Sequence, residues 1–159
     1  MAAPYDAVMI ANWFVDRARQ DEKVLSIMTV LKLCYIAHGW HLEIMGGPLF
    51  WNRIEAWRYG PVIRDVYIAF RQQGVKVSSP VAVQGKGIDS QGEEFLEEVY
   101  SVYGDVPALK LSKLTHVHGG PWDIVTEARG YYARIPDSLI KRHYAEKRAI
   151  MKEQADHAR

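Results

Sequence analysis

Residues 48–70, PLFWNRIEAWRYGPVIRDVYIAF, constrain this chain more than any other stretch. They hold the aromatics Phe50, Trp51, Trp57, Tyr59, Tyr67 and Phe70 and one rigid joint, Gly60-Pro61. Large aromatic side chains gain most by leaving water, so a segment this rich in them belongs at the centre of a core. Before the joint, Ile54 and Ala56 alternate with Glu55 and Trp57, the period of a short extended segment. After it, Asp65, Val66, Tyr67 and Phe70 follow at helical spacing. Pro61 suits the first turn of a helix, where its missing N–H has no bond to lose. The reading is an extended arrival, a turn at Tyr59-Gly60, and a helix over 61–73 stopped by Gly74.

The flanking sequence is patterned for helices. Residues 5–19 carry Ala7, Ile10, Ala11, Phe14 and Ala18 on one stripe, with Asp6 as early negative charge. Residues 26–41 carry Ile27, Val30, Leu31, Cys34, Tyr35 and His38, with Ser26 as N-cap. Ala37, Trp40 and Leu42 widen that face, so this helix is expected to be covered on more than one side. Val75, Val77, Val81 and Val83 alternate, but Pro80 limits them to a short edge strand. Residues 84–89 form a loop, and Ser90-Gln91-Gly92-Glu93 is a capping box for a helix with the stripe Phe95, Leu96, Val99, Val102 and Tyr103. Pro107, Pro121 and Pro136 each open a further helix after a glycine break. The polar residues 152–159 are expected to fray. The expected fold is mainly α: a compact single-domain bundle of about seven helices with a short extended element near 48–58. One domain covers 1–159, with its core over 5–146.

Composition narrows the function. The chain has 159 residues, 48% hydrophobic and 25% charged, which suits one globular domain with a substantial core. A net charge of +1 argues against a surface built mainly to neutralise nucleic acid. One cysteine, Cys34, excludes an intrachain disulfide and a multi-cysteine metal site, and fits a reducing cytoplasm. The segment MAAPYDAVMIANWF has no basic leader before a long apolar run, so no signal peptide is expected, and no uncharged run has membrane-spanning length.

Residues able to do chemistry are sparse. His38 and His41 stand three apart on one helix, and His116 and His118 form a second pair. A zinc site needs a third ligand, and there is no HExxH. The simpler reading makes His38 a half-buried stripe residue and His41 a cation at a helix end, with no metal and no cofactor. Cys34 sits mid-stripe, where a thiol is core rather than nucleophile. Gly85-Lys86-Gly87 lacks the spacing of a phosphate loop, and no GxSxG occurs. Lys141, Arg142, His143, Lys147, Arg148 and Lys152 make a basic helix face, interleaved with Glu146 and Glu153. Trp51 and Arg53 fall in a turn rather than on a stripe, and these residue types favour protein interfaces.

The order of these segments resembles a known family. The run Leu31-Lys32-Leu33-Cys34-Tyr35-Ile36-Ala37-His38-Gly39 is followed by Gly47-Pro48-Leu49-Phe50 and by Ile54-Glu55-Ala56-Trp57-Arg58-Tyr59-Gly60-Pro61-Val62. Later come Leu111-Ser112-Lys113-Leu114-Thr115-His116, Gly120-Pro121-Trp122 and Ile135-Pro136. Over residues 5–146 this resembles the Panacea-domain antitoxin family, which includes phage-associated GepA-like proteins and SocA-type proteolytic adaptors. The resemblance implies a bacterial, cytoplasmic protein of a toxin–antitoxin system that binds and silences a cognate protein toxin. For SocA-type members it further implies delivery of the toxin to the ClpXP protease. No enzyme activity is implied. Trp57, Tyr59, Gly60, Pro61, His116, Pro121 and Trp122 carry the motif and are expected to be structural. Residues 78–89 match no family feature. For the toxin-facing surface, the physical expectation is Trp51, Asn52, Arg53, Arg58 and Arg64. Occlusion without proteolysis, a DNA-binding autoregulator and a histidine-dependent metalloenzyme are the alternatives.

Overall fold

Helix α2 (Ile27–Ile44) is the axis of the molecule. Its residues 29–42 are buried without interruption, so it is covered on every side rather than along one stripe. This computed structural model describes residues 2–85 and 87–158. Around α2 pack α1 (Ala7–Gln20), α3 (Arg64–Phe70), α4 (Ser90–Tyr103), α5 (Ala108–Thr115) and α7 (Asp137–His157). Helix α6 (Pro121–Arg129) packs on α7 and on strand β2 (Ile54–Trp57). Strand β2 pairs antiparallel with β3 (Gly60–Ile63), while β1 (Leu25–Ser26) pairs with β4 (Lys76–Val77). The fold is mainly α, with seven α-helices among the described residues.

The core is continuous from Phe14 of α1 through Leu33, Tyr35 and Ile36 of α2 to Leu96, Leu111, Ile140 and Tyr144. Phe50, Ile63 and Phe70 of the aromatic segment lie within it. Each large apolar side chain taken fully from water contributes roughly 1.5–3 kcal/mol. Gly39 admits the ring of Tyr144 against the backbone of α2, where any Cβ would overlap it. That contact seats α7.

Helix ends follow from local chemistry. Asp6 Oδ1 accepts from Val8 N at 3.0 Å and Ser26 Oγ from Thr29 N at 3.0 Å. Helix α4 is capped one residue earlier than its box motif indicates. Asp89 Oδ1 accepts from Gly92 N at 2.9 Å and from the Tyr5 hydroxyl at 2.8 Å. Tyr5 lies outside α1 and bridges to Phe50 instead. On α4, Tyr100 takes the inward place expected of Val102, which is exposed. Helix α7 continues to His157, so residues 152–157 are helical rather than frayed.

The joint at Gly60-Pro61 is a hairpin, not a helix start. Trp57 pairs with Gly60 and Ala56 with Pro61, and α3 begins only at Arg64. Proline is tolerated because Ala56 turns both backbone groups the other way. Ala56 N donates to Ala133 O at 2.8 Å, and Ala56 O accepts from Tyr132 N at 2.7 Å. Pro61 therefore stands where the ladder asks for no N–H. Ile135 N also donates to Ile54 O at 2.8 Å, so residues 132–135 flank β2 as an added edge.

Candidate partner-binding surface

The hairpin, α3 and residues 131–134 form one exposed face. Along β2, Glu55 and Trp57 share the face opposite Ile54 and Ala56; Ile54 and Ala56 enter the core, Glu55 is buried at the recess and Trp57 is half-buried. The Trp57 indole N–H donates to Glu55 Oε1 at 2.9 Å, and Arg53 Nε donates to Glu55 Oε2 at 3.0 Å. Both carboxylate oxygens are thus engaged. The Trp57 ring meets Tyr67 edge-on at 5.1 Å and Tyr132 at 5.7 Å. Glu55, Trp57, Tyr67 and Tyr132, with Arg64, Ile68 and Arg71, line a recess of about 410 Å³.

The residues expected at a partner surface divide. Trp51 is 63% exposed, and Arg53, Arg58 and Arg64 are exposed as well. Arg58 stands over the Tyr59 ring, 6.0 Å from its centroid. Asn52 is a correction: it is buried and faces inward. Its Oδ1 accepts from Ala7 N at 2.7 Å, and its Nδ2 donates to Asp65 Oδ2 at 2.8 Å and Asp6 Oδ1 at 3.2 Å. Asn52 therefore ties the starts of α1 and α3 together beneath Trp51. Arg71, Tyr67 and Tyr132 belong to this face and were missed because α3 and residues 131–134 meet only in the folded chain.

The motif residues build the support. The Trp122 indole N–H donates to Trp57 O at 2.7 Å, clasping α6 to β2. The Trp122 and His116 rings pack edge-on at 4.5 Å. Gly60 has φ +125°, and a Cβ there would lie 2.5 Å from Lys32 Nζ and 2.6 Å from the His116 ring. Pro121 opens α6 at its first position. Tyr59 is the exception among them: at the hairpin tip it is 69% exposed.

Lys32 underlies the hairpin, on a face of α2 away from its apolar stripe. It is fully buried, and its amine donates to Pro61 O at 3.2 Å and Tyr59 O at 3.4 Å. Burial without a carboxylate partner pushes its pKa down to about 8. The signal was present: Lys32 is the lone Asp, Glu, Lys or Arg between Ile27 and Leu42.

The histidines each hold partners of their own. His38 is fully buried rather than half-buried; its Nε2 donates to Asp137 Oδ1 at 2.8 Å and its ring stacks on Phe50. His41 Nδ1 donates to Gly47 O at 2.6 Å, and burial lowers its pKa, so it is not a helix-end cation near neutral pH. His116 Nδ1 donates to Ser112 O at 2.6 Å, and burial lowers its pKa too. His118 is exposed beside Asp123. Among the described residues, no three His, Cys, Asp or Glu side chains stand where they would hold a metal ion. Cys34 is fully buried, which drives its thiol pKa upward. Gly85 and Gly87 flank a loop, and Lys86 between them lies outside the described residues. No described helix is long and apolar enough to cross a membrane.

Comparison with known proteins places the sequence in a family. The family model described as antitoxin SocA-like, Panacea domain, matches residues 30–123, which hold most of α2, the hairpin, α3, α4, α5 and Trp122. The antitoxin SocA of Caulobacter vibrioides (strain NA1000 / CB15N) is 33% identical over 151 residues, covering 86% of this chain and 80% of the relative. No solved structure matches significantly. The chain belongs to the SocA-like antitoxin family and carries its Panacea domain.

Proposed function

We propose that this protein is a cytoplasmic antitoxin that binds and neutralises a cognate protein toxin, acting as a single domain and without a catalytic step. The observation that carries the reading is the exposed aromatic and arginine face on the Panacea hairpin. Arg64, Tyr132 and the half-buried Trp57 line its recess, Arg53 pairs with Glu55 in the recess wall, Trp51 is exposed on the turn before β2, and the Trp122 clasp gives the face a rigid support. Tryptophan, tyrosine and arginine dominate the energetics of protein interfaces, and a rigid support lowers the entropy lost on binding. Trp51, Arg53, Arg58 and Arg64 are the toxin-facing residues in this reading, with Asn52 holding their turn in place.

The sharper form makes the protein an adaptor that presents the toxin to the ClpXP protease. An adaptor holds two polypeptides at once and needs two faces. A second concavity, about 460 Å³, lies between α2, α4 and α7 and shares no residue with the hairpin recess. Trp40, Ile44, Val99, Val102 and Met151 make it apolar, with Glu98, Arg148 and Lys152 among its lining residues. That separation supports the adaptor form over occlusion alone.

Co-expression with the open reading frame beside its gene tests both levels. Rescue of growth with co-purification is the expected result, and continued arrest with no complex contradicts neutralisation. A toxin half-life that shortens only when this protein and ClpXP are both present supports delivery. An unchanged half-life with growth rescued leaves occlusion.

A further inference from the structure

The hairpin recess holds two guanidinium groups with no carboxylate of their own. Arg64 and Arg71 both line it, and neither forms an ion pair among the described residues. The one carboxylate in its wall, Glu55, is already held by Arg53 and by the Trp57 indole. Asp65, next to Arg64, is bound to Asn52. With Arg53 and Glu55 cancelling, the recess keeps the charge of two arginines beside the rings of Trp57, Tyr67 and Tyr132. Tyr132 has φ +70°, a conformation a bulky residue adopts only when the surroundings hold it. Here its N–H bond to Ala56 O fixes it, and its ring closes one side of the recess. Backbone strain of this kind gathers where a ligand is clamped.

We propose that this recess takes an acidic side chain, with an aromatic or aliphatic neighbour, from a segment of the toxin. The proposal rests on the toxin-binding reading above. A planar guanidinium pairs a carboxylate through two parallel hydrogen bonds, and the aromatic wall suits the neighbouring apolar group. A polypeptide fits better than a phosphate chain. The molecule's net charge of +1 offers little to a polyanion, whereas one carboxylate needs only the two arginines. The volume of about 410 Å³ suits a small cluster of side chains rather than an extended strand of nucleotides.

The test measures affinity of the purified chain for the protein encoded beside its gene. The variants are Arg64→Glu/Arg71→Glu and the milder Arg64→Gln/Arg71→Gln. Both positions are exposed, so thermal melting of the free variants is expected to match the parent. The expected result is a loss of at least about 100-fold for the reversal and about tenfold for the neutral pair. Affinity of the parent is expected to fall with added salt. An Asp or Glu changed to Lys in one toxin segment, located with overlapping peptides, is expected to restore binding to the reversal variant. Equal binding by parent and reversal variant overturns the recess proposal and leaves toxin binding standing. No binding by the parent removes both. Displacement of the toxin by a single-stranded oligonucleotide, lost in the reversal variant, overturns the acidic-peptide assignment in favour of phosphate.

Discussion

Lys32 is the residue whose chemistry is most at odds with its place. It is a cation in the interior, with two long bonds to carbonyls and no counter-charge. In the unfolded chain its pKa is 10.5, and in the fold it is about 8. Between those values the unfolded chain binds the proton and the folded chain does not, so this group's contribution to stability rises with pH. Below about 8 the full cost, on the order of 3 kcal/mol, is present. Lys32→Met is therefore predicted to equal or exceed the parent in stability at neutral pH, and to lose that advantage at alkaline pH. Urea denaturation of both proteins at the two pH values measures it. Gly60→Ala acts on the same cluster with the opposite outcome. It forces a strained φ and drives a methyl group into Lys32 and His116, so a loss of about 2–4 kcal/mol is expected in the same assay.

Among the elements, the hairpin decides how the halves of the chain meet. β2 takes β3 on one side and residues 132–135 on the other, and α6 is clasped to it by one indole. Trp122→Phe keeps an aromatic side chain but removes that bond and part of the ring's packing. A loss of about 1–2 kcal/mol is predicted by thermal or chemical melting, with the helical circular dichroism unchanged. Much of this level was legible in the sequence. The helix starts at Ser26 and Pro121 and the extended period over 54–57 follow from local rules and are present. Pro61 misled because proline suits a helix start and a non-bonded strand position equally, and only the distant Ala133 reveals which applies. Asp89 and Ser90 are both able to cap a helix, and the contact with Tyr5 favours the former. Arg64 and Trp51 were visible as interface types, whereas Arg71 and Tyr132 join them only through tertiary packing. Asn52 was misplaced because nothing in its own turn shows the two helix starts it holds.

The molecule as a whole buries a few of its titratable groups, three histidines among them at least in part. Burial lowers the pKa of His41, His116 and His143. As pH falls through about 6.5, the unfolded chain takes up protons that these folded histidines resist, so stability falls toward acid. Melting temperature is predicted to drop between neutral pH and about pH 5.5. Asp21 and Asp89, whose pKa values are also lowered, add their own loss only nearer pH 4 and below. With His38, His41, His116 and Cys34 packed inside and Trp51, Tyr132, Arg53 and Arg64 exposed, the proposed role is adhesion to a toxin. Calorimetric titration of the purified toxin with this protein, followed by mass spectrometry of the recovered toxin, tests that most directly. A saturable complex of fixed stoichiometry with toxin of unchanged mass is predicted. Absence of a complex, or toxin chemically altered by a small fraction of this protein, would contradict it.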